Sequence, residues 1–212
     1  MFCAFVAAPS RASETPFQTE LWAELEPFLS ASESARWSAE AGARRLLETA
    51  RFVFSGMAYG FRVTAVPEEP LRRVEARSEV TLRAQIPSGD RGLRTRQVRE
   101  ADGRLYGVFS FSPNSEQHFS RARFLGSGVA RSSATGSASY FRGPSGIEDA
   151  IRDAVVRSVI VQARRETANR PAEITADVVL SQPPVLGIRN GRYTATVRTA
   201  VQIRTIRSYE LF

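Results

Sequence analysis

Val74-Glu75-Ala76-Arg77-Ser78-Glu79-Val80-Thr81-Leu82-Arg83-Ala84-Gln85-Ile86 alternates along its whole length. In an extended chain Val74, Ala76, Ser78, Val80, Leu82, Ala84 and Ile86 share one side. Glu75, Arg77, Glu79, Thr81, Arg83 and Gln85 share the other. One apolar and one charged side require a core on one face and water on the other, which is the signature of an antiparallel sheet.

The flanking sequence extends that plan. Upstream, Met57 to Val66 alternates through Met57, Tyr59, Phe61 and Val63, and Pro67-Glu68-Glu69-Pro70 reads as an exposed corner. Before it, Ser32 or Ser34 caps a helix expected over residues 35–54, with Trp37, Leu46, Leu47, Ala50, Val53 and Phe54 on one face and Gly56 as its end. Leu21, Trp22, Leu25 and Phe28 suggest a short helical piece over 17–28. Downstream, Asp102-Gly103 joins Leu93–Glu100 to Arg104–Phe111 in a tight hairpin.

Ser112-Pro113 opens a second helix expected to reach Leu125. The Ser-, Gly- and Ala-rich residues 126–146 read as a loop with one weak strand over 138–141. Ser145 and Glu148 form a capping box before the stripe Ile147, Ala150, Ile151, Ala154, Val155, Val159 and Ala163. Strands over 174–181, 185–189 and 192–206 close the chain, the last two joined at Asn190-Gly191. The expected fold is α+β, a mostly antiparallel sheet with three helices packed on one side. Residues 1–12 read as a signal-peptide remnant, 13–34 as an N-terminal extension and 35–212 as one domain, with a candidate subdivision near the 126–146 loop. The two helix-then-strands halves are a candidate distant duplication that no residue pattern establishes.

Composition excludes more than it identifies. The 212 residues contain one histidine, one cysteine and no lysine, so all 29 basic residues are arginine. A base near neutral pH, a thiolate nucleophile and a Schiff-base amine each need one of those scarce side chains. The net charge of +7 and a pI near 10.6 point to an anionic partner, or simply keep the protein in solution. The all-arginine usage looks more like a genome-level codon preference than selection at one site.

At the N-terminus Met1 to Ala8 is apolar, and Ser10 and Ala12 stand where a signal peptidase wants small residues. A positively charged leading region is missing, so the segment reads either as the tail of an export signal or as an apolar terminus. Cys3 has no lipobox before it. No run approaches the roughly 18 apolar residues of a membrane helix. Ending on Phe212 suggests an outer-membrane barrel strand, but Glu210 and Ser208 break the alternation such a strand needs.

Catalytic and metal motifs do not emerge. His118 reads as a surface or half-buried side chain, and no Gly-x-Ser-x-Gly elbow or Walker motif occurs. Gly126-Ser127-Gly128 is too short for a dinucleotide fingerprint. Glu148, Asp149 and Asp153 fall in the first turns of the third helix, where acids suit the helix dipole; catalysis or calcium binding is their other reading. We expect no catalytic, cofactor or metal residues. One positive feature remains: Arg62, Arg77, Arg83, Arg94, Arg96, Arg99, Arg198 and Arg204 fall on polar strand faces, a candidate anion-binding face. The other reading is a solvated face neutralised by Glu75, Glu79 and Glu100. Aromatic residues that would mark an RNA-binding sheet sit on the core parity.

The run Phe52-Val53-Phe54-Ser55-Gly56-Met57-Ala58-Tyr59-Gly60 leading to Pro67, with Gly146, Ala150 and Ala154 of the third helix, resembles stretches in uncharacterised exported proteins of spirochaetes. The resemblance spans most of residues 35–206 and implies an envelope setting without an assigned activity or functional residues. The expectation is therefore a non-enzymatic exported envelope or periplasmic protein with a structural or binding role. Its partner would be another envelope protein or an anionic polymer. The alternative is a cytoplasmic nucleic-acid or anion-binding module that uses the arginine face.

Overall fold

Ser38 accepts a hydrogen bond from the Ala41 amide at 3.2 Å and so begins helix α1, Ala39–Ala58, in the computed structural model of the protein. The structure describes residues 16–26, 38–126, 128–167 and 169–209; Trp37, Ser32, Ser34, the N-terminal apolar run and Phe212 lie outside them. Gly56 does not end the helix. It lies inside α1, where an added Cβ would come within 2.5 Å of the Phe61 ring, so the glycine is there for closeness. The chain turns instead at Gly60, and Met57 and Ala58 remain helical.

The strands are β1 Phe17–Glu24, β2 Phe61–Val66, β3 Arg77–Leu82, β4 Leu93–Ala101, β5 Arg104–Phe111, β6 Ala130–Ser139, β7 Pro171–Leu180, β8 Val185–Arg189 and β9 Arg192–Ser208. The other helices are α2 Ser115–Phe124 and α3 Gly146–Glu166. The α+β class and the antiparallel pairing are as the sequence implies. The strands form two sheets, β1-β5-β4 and β3-β2-β7-β9-β6 with β8 paired to β9. Helices α1 and α3 cover the side of the larger sheet that carries Phe61, Val63, Ile174, Val178, Tyr193 and Val197, and the smaller sheet packs on α1. The end of α2 meets Val179 and Ala200 through Phe124.

Five local expectations are corrected. Residues 17–24 are a strand paired along its length with β5; Leu21, Trp22 and Leu25 mimic helical spacing because Thr19 hides the alternation. The Val74–Ile86 run forms a strand only over Arg77–Leu82, on an outer edge, with Val74 held separately in an isolated bridge to Glu69. Past it the chain dives inward. The Ile86 amide donates to Ser55 Oγ at 2.9 Å and its carbonyl accepts from Arg51 Nε and Nη2 at 3.1 and 2.9 Å. The loop expected over 126–146 holds the ten-residue β6, paired throughout with β9. Its small residues are a packing requirement, since a Cβ on Gly136 would sit 2.1 Å from the Ala154 nitrogen of α3. Finally, α2 is capped by Asn114 and Gln117 in a reciprocal box, not by Ser112, and Ser145 donates to the Arg142 carbonyl and does not cap α3 with its side chain.

The topology recurs. Each half runs strand, helix, strand and later a hairpin, and the hairpin's second strand pairs back onto the first: β1 with β5, β6 with β9. Both hairpins turn on paired positive-φ residues, Asp102-Gly103 and Asn190-Gly191, the type I′ geometry. Near the start of each helix a glycine abuts the second residue of that hairpin strand, Gly42 against Leu105 and Gly146 against Tyr193.

Candidate anion-binding surface

Period-two alternation makes the solvent faces. Along β2, Arg62 alternates with buried Phe61 and Val63; across the pairing, Arg77 of β3 stands opposite Val66, and Arg83 follows just past β3. On β9, Arg198 stands opposite Ser133 of β6. Arg62, Arg77, Arg198 and Arg204 thus share the outer side of the large sheet, with exposed Arg83 just past the end of β3. Arg94, Arg96 and Arg99 lie on β4, the edge of the other sheet. The eight arginines form two groups.

Several of them are already engaged. Asp177, 3% exposed, accepts from Arg204 Nε and Nη2 at 3.0 and 2.8 Å, and Arg62 Nε lies 3.7 Å from its second oxygen. A carboxylate so deep in the sheet needs these partners, so the pairing is first a structural tie. Arg99 pairs with Glu20 at 3.1 Å, and Arg96, the bulged residue of β4, donates to Ser110 Oγ at 3.0 Å. Arg198 donates to the neutral Gln182 amide at 3.3 Å. Among the described residues Arg77, Arg83 and Arg94 hold no ion pair.

The small sheet departs from the sequence expectation about aromatic residues. Trp22 of β1, Tyr106 of β5 and Arg99 of β4 stand in register in one row of the small sheet, and Trp22, half-buried, packs against the core with its ring centre 6.0 Å from that of Tyr193. The Arg99 guanidinium lies 4.2 Å above Tyr106, and that of Arg104 lies 4.7 Å above Trp22. Aromatic and basic residues therefore do interleave here. Sequence reading misses this because Trp22 looks helical.

One buried polar cluster escapes sequence reading altogether. The Glu24 carboxylate accepts from the Tyr140 hydroxyl at 2.7 Å and the Tyr193 hydroxyl at 2.6 Å, with Arg104 Nη2 3.5 Å away. Burial, and then the adjacent carboxylate, push the Tyr140 phenol up to about 12 and push Tyr193 up as well. Both phenols stay protonated as donors. The cluster ties β1 of one sheet to β9 of the other.

The remaining candidates serve as ties. Asp153 accepts from the Ser137 amide at 2.8 Å and from Arg157 at 2.9 Å. Asp149 pairs with Arg142 at 3.0 Å, and Glu148 pairs with Arg45 and Arg152, each at 3.5 Å. Glu69 is not exposed as its corner suggests: it is 6% exposed, and Arg170 at 2.7 Å lowers its pKa. His118 is half-buried on α2. Among the described residues no group of three or more His, Cys, Asp or Glu could hold a metal ion, and no helix is long and apolar enough to cross a membrane.

A family model matches residues 5–209 of the chain. An uncharacterised protein of Treponema pallidum (strain Nichols) is 22% identical over 210 residues, covering 96% of this chain and 86% of that protein. No solved structure matches.

Proposed function

From the premise that the chain belongs to an uncharacterised family represented in a spirochaete, we propose that it is an exported, non-enzymatic protein of the cell envelope that binds an anionic partner. The observation that carries this reading is the outward placement of arginines on both sheets, with Arg77, Arg83 and Arg94 lacking acidic partners among the described residues. Guanidinium groups held on strands present fixed forks to carboxylate or phosphate. The +7 charge supports it by drawing polyanions to the surface. The buried Glu24 and Asp177 are occupied by internal donors and act as struts. The apolar Met1–Ala8 run followed by Ser10 and Ala12 supports export.

The test has two arms. A full-length fusion to a reporter active only outside the cytoplasm should give signal, and an uncleaved cytoplasmic product would count against export. Retention on an acidic polysaccharide matrix should fall as salt rises; retention that ignores salt would count against the arginine faces.

A second reading, a nucleic-acid module, is favoured by the paired Tyr106 and Arg99 with half-buried Trp22 in the same row, since bases stack on aromatic rings and guanidinium planes. Trp22 fluorescence quenching by oligo(dT), but not by an acidic polysaccharide, would select it.

A further inference from the structure

We propose that the groove between β6, β9 and the end of α2 is a binding site for a small phosphate-bearing molecule, gripped by Arg131 and Arg198. The inference deepens the reading of this protein as an anion binder and rests on it. It adds Arg131, which lies outside the eight arginines the strand pattern selects.

The groove has a volume of ≈ 480 Å³, within the range of about 300–1,000 Å³ of small-ligand sites. Arg131, Arg198, Ser133, Ser181 and Gln182 line it, with Leu125 of the α2 end on one side. Arg131 stands opposite Ala200 and Ser133 opposite Arg198, so the two arginines are diagonal neighbours on one face. Their backbones are then about 7–8 Å apart, and two long side chains can converge on one group. Among the described residues no carboxylate lines the groove and neither arginine forms an ion pair. That contrasts with Arg62, Arg99, Arg157, Arg170 and Arg204, each of which has its acid.

Arg198 is also held in place. The Arg198 carbonyl accepts from both the Ser181 amide and the Ser181 hydroxyl at 2.9 Å, and its guanidinium donates to Gln182 Oε1 at 3.3 Å. That bond leaves the Gln182 amide nitrogen as a further donor. Two guanidiniums side by side without an acid suit a dianionic, three-oxygen group better than a carboxylate, which one fork satisfies. The rest of the groove offers hydroxyl and amide groups to a polar body such as a sugar.

Calorimetric titration with inorganic phosphate and with glucose 6-phosphate, glucose serving as the uncharged comparison, tests the site. We expect saturable binding of at least one phosphate probe, none of glucose, and a loss of about tenfold or more in affinity in Arg131→Gln/Arg198→Gln. Arg164→Gln/Arg165→Gln, two exposed arginines in the last turn of α3, should bind as the parent does. Equal loss in both double variants would mean diffuse charge and overturn the site. So would the absence of saturable binding of either probe up to about 10 mM. A fall in melting temperature without parental binding would assign the pair to steadying the α2 C-terminal carbonyls, which also overturns it. Retention on the acidic matrix separates the two claims. If it persists when phosphate binding fails, only the groove is lost; if both fail, the wider reading goes too.

Discussion

At the scale of the residue, the interior is held by polar groups whose value depends on being fully partnered. Arg121 is the clearest. Its guanidinium donates to the carbonyls of Met57, Leu180 and Ser181 and lies 4.7 Å from the Phe17 ring centre. It thus serves the C-terminal end of α1 and the end of β7 at once. Burial pulls its pKa down to about 10, so it remains charged at neutral pH. Arg121→Met keeps the stem and removes every donor, and should cost about 3 kcal/mol by chemical denaturation. A loss within 0.5 kcal/mol, as at about any open surface site, would contradict the assignment. The Glu24 cluster gives a pH signature. Tyr140 is raised from 10.0 to about 12, so its contribution is fully present below pH 10 and lost as pH climbs towards 12. Tyr140→Phe should lower stability by about 2 kcal/mol at neutral pH and flatten the alkaline decline relative to the parent. An unchanged alkaline slope would remove Tyr140 from that role.

At the scale of the element, what could be read from sequence depended on how local its cause was. The hairpins at Asp102-Gly103 and Asn190-Gly191 were legible because positive φ at both residues is a local demand. The α3 stripe from Ile147 to Ala163 was legible because helical period is local too. Strand β6 was not: α3 lies so close that Gly136 and its small neighbours replaced the branched and aromatic residues that announce a strand. For the same reason Arg131, on that strand, escaped notice, while Arg62 and Arg198 were found from alternation alone. Which sheet each arginine joins is long-range information, so the split between β4 and the large sheet could not be foreseen. Gly136→Ala should cost about 3 kcal/mol or more, because the atoms in its way are α3 backbone and cannot turn aside. Near-parental melting would show that α3 can retreat. Strand β4 poses the opposite case. It is exposed on both faces along most of its length, and its bulge and arginines discourage pairing with other chains. Replacing Arg94, Arg96 and Arg99 together by Thr should promote association, visible as faster light-scattering growth on mild heating. Unaltered solubility would mean that the edge is guarded otherwise.

At the scale of the whole molecule, the two similar halves present two solvent faces, each with its own arginines, on opposite sheets. Whether a long polyanion uses one face or both can be decided by counting charges. Each phosphate neutralised contributes about −0.7 to the slope of log affinity against log salt for a single strand, and about −0.9 for a duplex. Arg77→Gln/Arg83→Gln removes two cations from the large sheet, and Arg94→Gln/Arg99→Gln two from the small one. A polymer that tracks the aromatic face should lose about 1.4 units of slope in the second variant and little in the first. A polymer spread over the whole surface should lose a smaller, equal amount in both. Because the Tyr106 ring lies under Arg99 of β4 and Trp22 of β1 stands next to Tyr106 in the same row, stacking on the small sheet predicts the first pattern, with Trp22 quenching lost in parallel. A slope identical in parent and both variants would show that neither face carries the charge contacts, and the basic surface would then serve only to keep the protein dispersed.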